Sequence, residues 1–317
     1  MARNEGARIS DLRRGGGHGM VAAVLMNLRS CFCFGLAWLT MSASAQEVAP
    51  AVSTPPMQRQ FEGLYSAWRD AMEKQDLKAW EQVTAQARQM RVRNEIVSQR
   101  LRFPDALFLS PVRAPELRGL SWVDTLVRGD TASSVYFGKA DFGLGEPSEI
   151  RDNFVVLRFL REFGVWKFDN LRVVKFGDDS EMIAKIRNQD RSYLDAPEFQ
   201  PDAKPPKLMG QVNAPDFIAE IWVTAAGYEA TVTVNGQHET QISNDSGREL
   251  VLGGLVKGLN RVKVEVKPAA LEAGVPRHLE IGIYGAAKPE DEAKRFYHYR
   301  ATSETEAASF EASFTVP

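Results

Sequence analysis

The sequence predicts an α+β domain, with helices on one face of an antiparallel sheet, followed by an all-β sandwich domain. Three observations carry this. Helical periodicity dominates a front section, strands rich in Val, Phe and Trp with short Gly turns come next, and strict two-residue alternation fills the chain beyond a proline-rich stretch.

In the first domain Phe61, Leu64, Tyr65, Trp68 and Met72 form one apolar helical stripe. Asp76 is placed to cap a short helix carrying Leu77, Trp80 and Val83. Met90 to Leu101 continues helical, with Pro104 as a stop signal. Beyond Pro115, the segments 117–127, 131–137, 150–163 and 165–176 read as strands. Arg128-Gly129-Asp130 and Phe163-Gly164-Val165 between them are short enough for antiparallel hairpins.

In the second domain Val262, Val264 and Val266 alternate with Arg261, Lys263, Glu265 and Lys267. The pattern returns at Leu279, Ile281 and Ile283, and again at Phe310, Ala312, Phe314 and Val316. Thr231-Val232-Thr233-Val234 runs into Asn235-Gly236, the favoured pair of a two-residue I′ turn. Half-buried strands with no good helix mean a β-sandwich or open barrel.

The domains divide at 58–194 and 216–317, around a stretch with five prolines from 195 to 215 that reads as a semi-rigid linker. Ahead of them, Cys31 to Met41 is an apolar run of eleven residues followed by Ala43-Ser44-Ala45. Short h-region and small-residue site describe a secretory signal in 1–45, starting at Met1, Met20 or Met26, with 46–57 a flexible leader. Arg29 occupies a position that argues against a lipid anchor. Cleavage after Ala45 removes Cys31 and Cys33 and leaves no thiol for a disulfide or a nucleophile. Residues 1–45 hold five arginines and two acidic residues, against 39 basic and 41 acidic in all, so the remainder is net negative by five. That balance argues against nucleic acid as a partner. The expected product is periplasmic or secreted, with no stable membrane anchor after cleavage.

The stretches LYSAWRDAMEKQDLKAWEQVTA, TASSVYFGKADFG and NFVVLRFLREFGVWKFDNLRVVKF resemble the NTF2-like (SnoaL-like) superfamily in element order and texture. The resemblance covers roughly 58–180. It implies a strongly bent sheet that wraps into a cone with a cavity, and a sheet suited to homodimer formation. TVTVNGQ and LVLGGLVKGLNRVKVEV are similar, more weakly, to galactose-binding-like jelly rolls or an immunoglobulin-like sandwich. Neither resemblance fixes function.

Candidate chemistry is sparse. Residues 46–237 contain no histidine, which removes the usual His–Asp dyad from the first domain. Asp124, Asp141, Asp152 and Asp169 remain as candidate bases and Tyr136 as an oxyanion donor. Asp124 and Asp152 read as solvent-facing strand residues and Asp141 and Asp169 as turn residues, so no catalytic residue is assigned. Trp122, Tyr136, Phe154 and Trp166 are the cavity candidates, with core packing as the competing explanation. Arg151, Arg158 and Arg161 read as solvated.

Within KRFYHYR, Tyr297 and Tyr299 are suited to stack a sugar ring while Arg295 and Arg300 bond its hydroxyls. Alternate core-facing aromatics in a strand explain the same string. His238, His278 and His298 lack the close spacing of metal ligands, and no metal or cofactor is expected. Asn244-Asp245-Ser246 matches a glycosylation triplet that a bacterial exported protein seldom uses. The expected function is a non-catalytic two-domain binding protein recognising a glycan or an envelope protein. The alternatives are an NTF2-like small-molecule enzyme using Asp and Tyr, and a structural envelope-assembly protein.

Overall fold

The computed structural model describes residues 55–109, 113–143, 151–175, 179–271, 274–301 and 307–317. The expected signal region and most of the leader lie outside the described residues, except that Pro55, Pro56 and Met57 open the first helix. The chain splits into two compact units: described residues 55–90 and 113–208 form one, and 91–109 with 209–317 form the other.

The expected fold class is corrected by the secondary structure. The described residues are mostly β, 44% strand against 22% helix, with two sheets and four short helices among them, placed mostly N-terminally. In the first unit α1 (Pro55–Glu73) and α2 (Leu77–Val83) precede α3 (Gln86–Ser98), whose end lies in the second unit. Asp76 caps α2 by accepting from Ala79 N at 3.0 Å, satisfying a backbone donor that the helix itself leaves open. Strands β1 (Ser121–Arg128), β2 (Thr131–Lys139), β3 (Asp152–Glu162) and β4 (Val165–Val174) pair in chain order as an antiparallel meander, followed by α4 (Ser180–Arg187).

Both faces of this sheet are filled. Phe61 and Tyr65 of α1 pack on Tyr136, Leu157, Phe159, Trp166 and Phe168. Phe61 stacks on Phe159 at 4.1 Å and meets the Trp166 ring edge-on at 5.2 Å. The opposite face carries Val123, Val135, Phe154 and Val156 against Tyr193, Leu194 and Phe199. Fully burying a Phe stabilises by roughly 1.5–3 kcal/mol, so aromatics on both faces favour a layered arrangement over the expected hollow cone. The helix-on-one-face expectation fails because Tyr193 and Leu194 at the end of the first domain, with Phe199 from the stretch read as a linker, cover the other face.

Buried Arg158 on β3 holds that covering segment by donating to Gln200 O at 2.5 Å and Glu198 O at 3.0 Å. Thr131 Oγ1 adds a bond to Asp202 O at 2.6 Å. The 195–215 stretch is tied in the second unit as well. There fully buried Asn94 donates to Gly210 O at 2.8 Å and accepts from Val212 N at 3.1 Å.

The β3–β4 hairpin turns at Phe163 (φ 50°) and Gly164 (φ 80°), and Phe163 is fully exposed. A bulky side chain in the left-handed region is strained, whereas Asn adopts it readily. Phe163→Asn is therefore expected to stabilise the chain by about 1 kcal/mol, read as a raised urea midpoint. A lowered midpoint would show that the exposed ring makes a stabilising contact.

The second unit contains β5 (Ile218–Val234), β6 (His238–Leu250), β7 (Gly258–Pro268), β8 (His278–Ala286), β9 (Lys294–Ala301) and β10 (Phe310–Val316). Asn235 (φ 51°) and Gly236 (φ 67°) make the tight β5–β6 turn. β6 follows β5 along most of its length, while the other edge of β5 pairs first with β8 and then with β7. The switch occurs at a bulge between Ala225 and Glu229, where Gly227 has φ 75° and a Cβ would sit 3.0 Å from Arg277 Cγ.

This corrects the sandwich expectation. Two separate sheets are not present: the long β5 joins all six strands into one hydrogen-bonded sheet. Its inner face is apolar, with Ile221, Val223, Val232, Val264, Ile281 and Ile283 buried. Aromatic contacts between Tyr297 and Phe314 at 5.3 Å and between Tyr299 and Phe310 at 4.4 Å bring β9 onto β10. From α3, Ser98 Oγ accepts from Gly253 N at 2.7 Å, which fixes the helix end to the loop after β6.

Candidate functional site on the outer face of the C-terminal sheet

Strand alternation that buries Ile221, Val223, Leu279, Ile281 and Ile283 sends their neighbours to the opposite face. On β5 these are Glu220, Trp222 and Thr224; on β8 they are His278, Glu280, Gly282 and Tyr284. β6 contributes Arg248 opposite Trp222, and β9 contributes His298 opposite Gly282 and Arg300 opposite Glu280.

Gly282 shapes the centre of this face. The Tyr284 ring covers it, with Cε2 2.7 Å and the hydroxyl 3.3 Å from where a Cβ would sit. Only a residue without a side chain lets the ring lie there. Trp222 stands beside it, 5.0 Å between ring centroids and tilted by 42°, and is 37% exposed. Arg248 approaches the indole at 5.5 Å, within reach of a cation–π interaction. The result is a solvent-facing pair of aromatic rings on a rigid sheet.

One carboxylate links two imidazoles next to that pair. His298 Nε2 lies 2.9 Å from Glu280 Oε1, and His278 Nε2 lies 3.2 Å from Glu280 Oε2. The hydrogen bond from His298 holds Glu280 below the usual carboxylate range against its partial burial, with His278 and Arg300 adding to the effect. Glu280 is thus a charged acceptor, fixed in orientation and 40% exposed. Among the described residues no group of His, Cys, Asp or Glu has the arrangement of a metal site.

Comparison with protein-family models, with curated proteins and with solved structures finds no match for this chain, and nothing identifies a superfamily. The site is therefore read from its residues alone.

KRFYHYR divides between two faces. Tyr297 and Tyr299 pack against the core and are occupied by β10 aromatics, whereas Arg295, His298 and Arg300 are exposed. The sequence alone did not single out Trp222, Tyr284 or Glu280, and pointed to the two histidines only as residues without metal-ligand spacing. The available signal was His278-Leu279-Glu280-Ile281-Gly282-Ile283-Tyr284, in which an outer polar set alternates with an inner apolar one. His298 carries no such signal, because its place beside Glu280 is set by the β8–β9 register and the bulge at Ile283/Tyr284.

The cavity candidates are split. Trp122, Tyr136 and Trp166 belong to the α1 side of the first sheet, and Phe154 to the other. Tyr136 donates to Glu62 Oε1 at 3.1 Å, and burial raises its pKa, so the phenol keeps its proton for an internal bond. Asp124 accepts from Thr125 N at 2.7 Å and pairs with Arg191 at 3.5 Å. Asp141 and Asp152 are exposed.

Asp169 departs from its turn assignment. It is a buried β4 residue at the β3–β4 bulge, bonded at 2.7 Å by Asn170 Nδ2. Burial raises its pKa, opposed by Arg88 and Arg158.

Proposed function

We propose that this chain is a non-catalytic binding protein whose C-terminal unit takes a saccharide on the outer face of β5, β8 and β9. One observation carries the reading: Tyr284 laid over Gly282 beside exposed Trp222, next to an oriented Glu280 held by two histidines. Aromatic rings take the apolar face of a sugar, while the carboxylate and imidazoles bond its hydroxyls. A rigid sheet supplies this arrangement with little ordering on binding. Export to the periplasm or outside the cell, expected from 1–45, fits a glycan ligand. No helix among the described residues is long and apolar enough to cross a membrane.

Trp222→Ala and Tyr284→Ala test the reading by calorimetry against a glycan panel. Each substitution is expected to weaken binding about tenfold, the equivalent of about 1.4 kcal/mol, with the thermal midpoint little changed. No glycan binding by the parent chain, or binding by both variants equal to that of the parent, would refute it. A second reading, a small-molecule enzyme in the first unit, has one observation in its favour, the buried carboxyl of Asp169 with its raised pKa. It predicts a turnover abolished by Asp169→Asn.

A further inference from the structure

The face proposed to bind a saccharide has an uneven charge distribution. Its carboxylates are already engaged. Glu220 lies 3.4 Å from Trp222 Nε1 and 3.7 Å from Arg248, and Glu280 takes both His278 and His298. Arg295 and Arg300 on β9 differ. Both are exposed, and neither is in an ion pair or a side-chain hydrogen bond among the described residues.

The register places Arg295 opposite Tyr284 and Arg300 opposite Glu280, so both belong to the same outer face as the aromatic pair. Those two β8 positions are four residue steps apart, a span of about 13 Å along the strand. His298 lies between them, facing Glu280. Arg300 acts on Glu280 only through space, without a hydrogen bond, so both guanidinium forks stay open along this edge, and they are spaced along the strand direction. A guanidinium presents a planar fork that matches a carboxylate, so it favours that group over a hydroxyl.

On this basis, and resting on the saccharide reading above, we propose that the ligand is an acidic oligosaccharide of uronic-acid type. Its carboxylates meet Arg295 and Arg300 while a ring lies on Tyr284 and Trp222. That spacing suits an oligosaccharide with acid groups on different residues better than a single sugar.

The test uses the chain spanning residues 46–317 and three probes: oligogalacturonate, the same oligosaccharide with its carboxyl groups reduced to alcohols, and dextran sulfate. Oligogalacturonate is expected to bind at least tenfold more tightly than its reduced form, with affinity falling as salt rises. Arg295→Gln combined with Arg300→Gln is expected to bring the two affinities together, and Trp222→Ala to weaken both. Equal binding of the acidic and reduced forms by the parent chain overturns the acidic preference and leaves the saccharide reading standing. Tighter binding of dextran sulfate, lost in the double arginine variant, overturns the uronate assignment in favour of a sulfated ligand. Silence from all three probes overturns the inference, and silence from the wider glycan panel as well overturns the saccharide reading.

Discussion

Arg158→Met is expected to destabilise the first unit by about 3–5 kcal/mol. The guanidinium is 5% exposed and donates to two backbone carbonyls, Glu198 O and Gln200 O, while lying 3.4 Å from Asp202 Oδ1. Met fills much of the same volume and offers no donor. The two carbonyls then lose their partner, and the buried carboxyl of Asp169 loses one of the cations that offset its burial. An unpaired buried polar group costs about 1–3 kcal/mol, and an unpaired charge more. Residues 198–202 would lose their tie to β3, which weakens the layer formed by Tyr193, Leu194 and Phe199. Urea unfolding of Arg158→Met and Arg158→Lys checks this. Lys keeps the charge without the fork, so it should fall between parent and Met. A Met variant within 1 kcal/mol of the parent would show that Arg158 does not anchor the segment.

Acid should weaken the second unit through His238. This imidazole is 4% exposed, with Nε2 2.8 Å from Thr240 Oγ1, and Nδ1 is buried without a partner. Thr240 donates its hydroxyl to Glu249 at 2.9 Å, so Nε2–H donates to Thr240 and Nδ1 is the atom left to protonate. A proton there would be buried with no acceptor. Burial, and then repulsion from Arg91, lower the pKa from 6.5 to about 4.

A base with a depressed folded pKa binds fewer protons folded than unfolded between pH 4 and 6.5. Its contribution is fully present above pH 6.5 and is lost as the pH falls toward about 4. The loss levels off at about 3 kcal/mol, since one pKa unit corresponds to about 1.4 kcal/mol. Comparing the pH dependence of unfolding for the parent and His238→Gln isolates this group from the carboxylates that titrate nearby. The variant should show a shallower slope across that window, and identical slopes would dismiss His238 as the cause.

Local chemistry was legible wherever one element decided the outcome. The Asp76 cap, the Asn235-Gly236 turn and the alternation from Asn260 to Lys267 each rest on neighbours a few residues apart, and each is present. What failed were judgements about faces. Asp169 reads as a turn residue until a bulge and the β3–β4 pairing bury it. Arg158 reads as solvated until residues 198–202 fold over it. The polar run Ser243-Asn244-Asp245-Ser246-Gly247 offers no strand pattern, yet it pairs with β5 on both sides of the β5 bulge.

The amino-acid sequence by itself determined the strands with a clear alternation, their inner apolar sets and the tight turns, because period and turn chemistry act within a few residues. Only the tertiary structure decided that one bent strand joins six into a single sheet, and that both faces of the other sheet are covered. It alone brought His298 to Glu280 and Tyr284 onto Gly282. Register, bulges and the absence of a Cβ place those groups, and such geometry arises between strands distant along the chain.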